Sequence, residues 1–237
     1  GMNAQGIALS EKGASPDGDK PYKLNGTHFT TMFRDILYDA HSLQEAVDII
    51  RTTPQIKKYR FYIGDGAPEG SGRQMGAVKV KAYAGDPNPL IFWGPNDPTD
   101  EVAPKIMDDV IYFTMNNEAA YEHLTTFYGG YDGRRMIELS RRLADDDGNL
   151  LDVVYDATSL EMWIAYAEGF KVASSRTYVH VDLKDYLDYP AQAPEGAQVA
   201  SAGGGSGGGG SSSKALGVLL LIVPVLLVIG FVVYRMR

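Results

Sequence analysis

Cysteine is absent from all 237 residues. That excludes disulfides, thiolate-bound metals and a cysteine nucleophile carried by this chain itself. Histidine is scarce: His28, His41, His123 and His180 are the only four. No two of them stand at the spacing that puts two imidazoles on one helical face, so nothing local points to a metal or another cofactor. Positive charge is in the minority, with 22 Lys and Arg against 30 Asp and Glu and a formal net charge of -8. This balance argues against a general nucleic-acid surface, because phosphate binding needs concentrated Lys and Arg. The short basic clusters at Lys57-Lys58, Arg134-Arg135 and Arg141-Arg142 read as solvated faces. No secretory signal precedes the body, and Gly1 ahead of Met2 reads as a residue left by tag removal, so the natural start need not lie there.

Long hydrophobic runs are missing until the very end. Ala215 to Tyr234 then form 20 residues without a charge, which as a helix would span about 30 Å, the thickness of a bilayer's hydrocarbon core. Lys214 flanks this run on one side and Arg235 and Arg237 on the other. The more basic C-terminal end is expected to face the cytoplasm, which puts the rest of the chain outside. Gly203 to Ser213 contain only Gly and Ser and have nothing to bury. The expected organisation is a folded domain over 1–189, a Gly/Ser/Pro-rich linker over 190–213, and a transmembrane anchor with a short basic tail over 214–237.

The body alternates helical and strand patterns. Ile7 to Ser10 read as a strand, and Glu11 to Lys23 as a loop. Phe29 to Tyr38 carry an apolar helical stripe. Ser42 and Glu45 form a capping box ahead of Leu43, Ala46, Val47 and Ile50, and Pro54 ends that helix. Tyr59 to Ile63 and Ala77 to Tyr83 read as a strand pair around a Gly-rich hairpin loop, which lacks the Gly-Lys-Ser/Thr end of a phosphate loop. Residues 84–109 read as one long irregular stretch. Val110 to Thr114 are an expected strand, and helices follow over Glu118 to Phe127 and Gly133 to Leu143. Asp145 to Asn149 read as an acidic turn without the ligand spacing of a calcium loop. Leu151 to Tyr155, Glu161 to Ala167 and Tyr178 to Leu183 close the body as an antiparallel meander. The fold class is α+β.

Four segments, in this order, resemble a known family. They are Met2-Asn3-Ala4-Gln5-Gly6-Ile7-Ala8; Phe33-Arg34-Asp35-Ile36-Leu37 followed by Leu43-Gln44-Glu45-Ala46-Val47; Phe127-Tyr128-Gly129-Gly130-Tyr131-Asp132; and Asn149 to Asp156 with Leu160-Glu161-Met162-Trp163. The family is that of acyl-CoA:6-aminopenicillanic acid acyltransferase and related peptidases, which is similar to the choloylglycine hydrolases among the N-terminal-nucleophile hydrolases. The likeness spans roughly residues 2–185. It implies an αββα sandwich lacking its N-terminal strands, and cleavage or transfer of acyl groups on non-peptide amides. The family's nucleophile is an N-terminal cysteine freed by self-cleavage, with its own α-amine as base. By this resemblance the cysteine lies upstream of Met2, on a missing N-terminal segment, and the chain by itself is inactive.

Asn3, Asn116 and Asn117 are then candidates for an oxyanion-stabilising amide, although Asn3 also suits the turn before Gly6, and Asn116 or Asn117 a helix cap. Trp93, Arg34 and Arg135 are candidate contacts to a small amide or acyl substrate. An open sheet edge left by missing strands would favour a homodimer. The competing reading is a membrane-tethered binding or structural domain without catalysis. That reading predicts a closed fold, whereas the enzyme reading predicts an exposed sheet edge or face.

Overall fold

The computed structural model describes residues 1–13, 22–84, 90–103, 105–112, 117–144 and 149–187. The expected linker and apolar tail lie outside these residues. Among the described residues no helix is long and apolar enough to cross a membrane.

The chain is mixed α+β with two antiparallel sheets. In the first, β1 (Ile7–Gly13), β2 (Tyr59–Asp65), β3 (Gly76–Ala82) and β4 (Leu90–Trp93) lie in sequence order. Helices α1 (Phe29–Asp39) and α2 (Leu43–Thr52) intervene between β1 and β2. His28 caps α1 by accepting from Thr30 N, and Ser42 caps α2 by accepting from Glu45 N. The Glu45 carboxylate reaches back to His41 N at 2.6 Å, which completes the box one residue earlier than the standard form. Strand alternation then sorts the sheet's two sides. Ile7, Leu9, Phe61, Ile63, Val78 and Val80 face Met32, Ile36, Ala46 and Ile50 of the two helices in one apolar core. Each fully buried large side chain there contributes about 1.5–3 kcal/mol.

The second sheet is β5 (Leu151–Asp156), β6 (Glu161–Tyr166) and β7 (Val179–Asp182), again in sequence order. Helices α3 (Asn117–Thr126) and α4 (Gly133–Leu143) pack on one of its sides. Leu124, Met136, Leu139 and Leu143 meet Val154 and Trp163 in a second core. A one-turn helix, α5 (Lys184–Leu187), follows β7.

Three sequence expectations need correction. The stretch over 84–109 is not wholly irregular. Leu90–Trp93 pair with β3, so Trp93 sits in a strand. Four apolar residues between Pro- and Asp-rich flanks are too short a pattern to register. Of the strand expected over Val110 to Thr114, Val110, Ile111 and Tyr112 form no ladder among the described residues, and Phe113 and Thr114 lie outside them. Val110 makes only an isolated bridge to Met107, around Asp109 at φ 57. Their apolar alternation has a different cause: Ile111 packs on Tyr62 and Ala77 of the first sheet, while Val110 and Tyr112 belong to the second core. The segment is buried on two sides, no strand pairs with it among the described residues, and the Tyr112 carbonyl accepts from Lys79 Nζ at 3.1 Å. Finally, β1 continues through Glu11 to Gly13, paired with Phe61 to Tyr59.

Asp152 illustrates what fixes α4 to β5. It is fully buried, and Ser140 Oγ lies 2.7 and 2.6 Å from its two oxygens. Burial raises its carboxyl above the ordinary value, against the opposing hydrogen bonds from Ser140 and Tyr178. The folded state therefore favours the protonated acid. Its contribution to stability is complete below the unfolded carboxyl pKa and is lost as pH rises through the raised folded value. Replacing Asp152→Asn removes this loss. In urea melts, the variant should gain on the wild type as pH is raised from about 4 toward neutrality. A stability difference that is flat with pH would contradict a raised carboxyl.

Candidate functional site

The two sheets meet where glycines allow backbone to touch backbone. Gly6 has φ +73, and a Cβ on Gly66 would stand 2.1 Å from the Ala157 carbonyl carbon. Ala157 belongs to the β5–β6 turn. Thr158 Oγ1 in that turn donates to Gly66 O at 2.9 Å. Asp156 closes the same turn by accepting from Thr158 N and Ser159 N at 3.1 and 3.0 Å. On the other side of the junction Asp65, at the end of β2, is clasped by Arg73. Nε lies 2.9 Å from Oδ2 and Nη2 3.0 Å from Oδ1. Arg73 also donates to Gln5 O, so one guanidinium joins the turn before β1 to the end of β2.

Beside this junction opens a cleft of about 730 Å³, within the usual range for small-molecule sites. Ala8, Gly64 and Gly66 line it from the first sheet, Tyr155 and Trp163 from the second, and Tyr128, Tyr131 and Asp132 from the α3–α4 connection. Trp163 is held between neighbours. It stacks on His180 with ring centroids 5.0 Å apart, and Gly133 is required over it, since a Cβ there would come within 2.5 Å of the indole. The Tyr131 hydroxyl lies 2.6 Å from His123 Nδ1. Burial pushes the Tyr131 phenol up to about 12 and the His123 imidazole down, so both are neutral near pH 7.

Of the carboxylates that line the cleft, Asp65, Asp132 and Asp156 have structural partners; Glu69 and Asp109 also line it. Asp65 also accepts from Ala67 N at 2.8 Å, and Asp132 caps α4 through Arg135 N at 2.8 Å. Thr158 Oγ1 is held by Gly66 O, and Tyr155 Oη accepts from Gly1 N at 2.8 Å. As it stands, the cleft offers apolar and aromatic walls with fixed polar groups, a surface suited to holding a small organic molecule.

The sequence candidates lie elsewhere. Asn3 sits in the turn before β1. Its Nδ2 donates to Leu37 O and Ala40 O at 3.3 and 2.9 Å, and its Oδ1 accepts from Gln5 N and Ile7 N, each at 3.0 Å. All four amide positions clasp the end of α1 to the turn. Asn3→Ala should therefore lower stability by about 2 kcal/mol, from the loss of several backbone partners at once. Thermal or urea denaturation would check this, and an unchanged midpoint would contradict it. Trp93 is buried, with its indole N–H donating to Thr99 O at 3.1 Å. Strand order puts β1 and β4 on opposite edges of the first sheet, so Asn3 and Trp93 are not brought together. Arg34 pairs with its neighbour Asp35 at 3.1 Å on the exposed side of α1. The Arg135 guanidinium lies 4.6 Å above the Phe127 ring. None of these four lines the cleft. Asn117 begins α3, and Asn116 lies outside the described residues.

Sequence reasoning passed over Asp65, Arg73, Tyr155 and Thr158. The one available signal was the glycine density around Asp65, with Gly64 and Gly66 beside it. Which backbone those glycines approach, 91 residues further along at Ala157, has no local trace. No family model matches the chain, and no curated protein or solved structure matches it either.

Proposed function

We propose that this chain is the C-terminal part of a membrane-anchored hydrolase or acyltransferase acting on non-peptide amides, with the nucleophilic cysteine on a segment upstream of Gly1. The observation that carries the proposal is the start of the first sheet. Gly1 and Leu9 exchange backbone hydrogen bonds, N to O at 2.9 Å and O to N at 2.8 Å, and Met2 bridges Ala8. A strand is thus already begun antiparallel to β1. In that register a residue ahead of Gly1 would oppose Ser10, and the proposed upstream segment would follow β1. Ala8, which Met2 bridges, lines the cleft. An upstream segment so placed brings its residues to the cleft's margin. The two antiparallel sheets, each backed by a helix pair, suit an αββα sandwich that lacks its first strands.

In this reading the thiolate attacks the amide carbonyl. The α-amine takes the thiol proton and passes it to the departing amine, and water or an acyl acceptor then breaks the thioester. The cleft holds the acyl or amine portion of the substrate. Residues 215–234 hold the protein in a bilayer, with the folded body outside. Alkaline carbonate extraction should leave the protein in the membrane pellet.

The test of the chemistry is a panel of N-acyl anilides. The chain beginning at Gly1 should release no aniline. The protein carrying its upstream coding sequence should do so, and iodoacetamide should abolish the activity. Thiol-independent turnover, or none in the longer protein, would overturn the assignment and favour the tethered binding domain.

A further inference from the structure

The charges around the cleft have one sign. Glu69, Asp109, Asp132 and Asp156 line it together with Asp65, and no Lys, Arg or His stands among the lining residues. Arg73 neutralises Asp65. Among the described residues, none of the other four carboxylates forms an ion pair. They come from four separate segments: the β2–β3 connection, the chain after β4, the α3–α4 connection and the β5–β6 turn. Asp132 and Asp156 accept from the neutral backbone N–H groups of Arg135, Thr158 and Ser159, which leave their charges uncompensated. The Arg135 guanidinium itself lies over the Phe127 ring and does not line the cleft. Aromatic rings stand beside the carboxylates. The Tyr128 hydroxyl donates to Asp108 O at 3.0 Å, which ties that ring to the Met107–Val110 turn that holds Asp109. Tyr131 immediately precedes Asp132. Among the described residues no three His, Asp or Glu side chains are grouped so as to hold a metal ion.

We infer that the cleft takes an organic cation, a small molecule with an ammonium group beside an apolar or aromatic body. The inference rests on the proposed reading of the cleft as the substrate site and adds the charge of the part it holds. The cavity does not depend on the carboxylates: its volume and its Tyr128, Tyr131 and Trp163 walls accommodate an apolar body. The carboxylates decide the sign. An anionic ligand would meet charges of its own sign and no cationic partner among the lining residues. A hard metal ion needs several oxygen donors converging on one point, which these dispersed groups do not provide. An ammonium finds a carboxylate on each of four segments, and the half-exposed Tyr128 ring adds the attraction of an aromatic face for a cation.

Three probes that share a phenyl ring and differ in charge test this: 2-phenylethylamine, 2-phenylethanol and phenylacetate. Each is titrated calorimetrically into the full chain in non-ionic detergent at pH 7, against a detergent blank. The amine, which is protonated at this pH, should bind about tenfold or more tighter than the alcohol at low salt, and phenylacetate weakest of all. The gap should narrow in about 0.5 M salt, where exposed charges are screened. The double variant Glu69→Gln/Asp109→Asn should weaken amine binding by about fivefold and leave alcohol binding unchanged. Asp109 has φ 57, a conformation that Asn also adopts, and an unchanged urea midpoint would show that the variant is folded. Equal affinities for amine and alcohol, tightest binding of phenylacetate, or no binding of any probe would overturn the inference. Displacement of the amine by micromolar calcium would assign the carboxylates to a metal and overturn it as well. Amine-selective binding in a protein whose longer form has no thiol-dependent amidase activity keeps the cation site and removes the proposed chemistry. Unselective binding in an active thiol-dependent amidase removes the cation site alone.

Discussion

Replacing Lys79→Met should destabilise the protein by about 3–5 kcal/mol, a large part of the margin of a typical domain. Lys79 is 1% exposed on the side of β3 away from α1 and α2. Its ammonium lies 2.5 Å from Asp100 Oδ2 and 3.1 Å from the Tyr112 carbonyl, and 5.6 Å from the centre of the Trp93 ring. Burial lowers its pKa, and the hydrogen bond to Asp100 opposes that shift. Methionine fills a similar volume, so packing changes little. What remains is an Asp100 carboxylate, 5% exposed, facing no ammonium. Asp100 Oδ1 also accepts from Val102 N and Ala103 N at 3.0 and 3.2 Å. The double variant Lys79→Met/Asp100→Asn keeps those bonds and removes the stranded charge. It should recover most of the loss, because the cost of a broken buried pair is mainly that of its orphan. Lys81, two residues on, pairs with Glu101, which is 56% exposed. Lys81→Met should change stability by only about 0.5 kcal/mol. Equal losses at positions 79 and 81 in urea titrations would contradict this contrast.

The second large effect belongs to Gly66→Ala. The added Cβ would stand 2.1 Å from the Ala157 carbonyl carbon and 2.4 Å from both Ala157 O and Thr158 N. These are backbone atoms, so no side-chain rotation relieves the overlap, and the β5–β6 turn must leave the end of β2. The expected loss is about 3 kcal/mol, at the upper end for overpacking. It should come with loss of the Thr158-to-Gly66 hydrogen bond and an altered cleft margin. Gly94→Ala is the control. Nothing lies within 4 Å of a Cβ there, and the change should stay within about 0.5 kcal/mol. If Gly66→Ala proved as mild as Gly94→Ala, the close approach of the two sheets would be wrong.

Much of the fold was legible because its signals are local. The Ser42–Glu45 cap, the stripe of α2 and the alternation of β3 lie within single segments and survive folding unchanged. The exceptions share one cause. Val110 to Tyr112 alternate like a strand because two different cores claim their alternate sides, and sequence alone does not reveal whether an edge is available to pair. Lys79 looks like an ordinary outward residue of a half-buried strand, since nothing nearby announces Asp100 as its partner. The cleft was the least legible part. Its walls come from β1, β2, the α3–α4 connection and the β5–β6 turn, and what joins them is glycine contact across long separations. Asn3 stood out as a polar residue beside a predicted strand, but an amide that clasps a helix end cannot be told in sequence from one that awaits a substrate.

In the proposed enzyme the reacting group is a cysteine upstream of Gly1, delivered to the edge of β1. Intact-mass and N-terminal sequence determination on the mature protein, made from its complete coding sequence, addresses it directly. A new N-terminus beginning with cysteine, on a fragment that includes the strand begun at Gly1–Met2, is the predicted result. A mature protein with no cysteine-initiated N-terminus would contradict it.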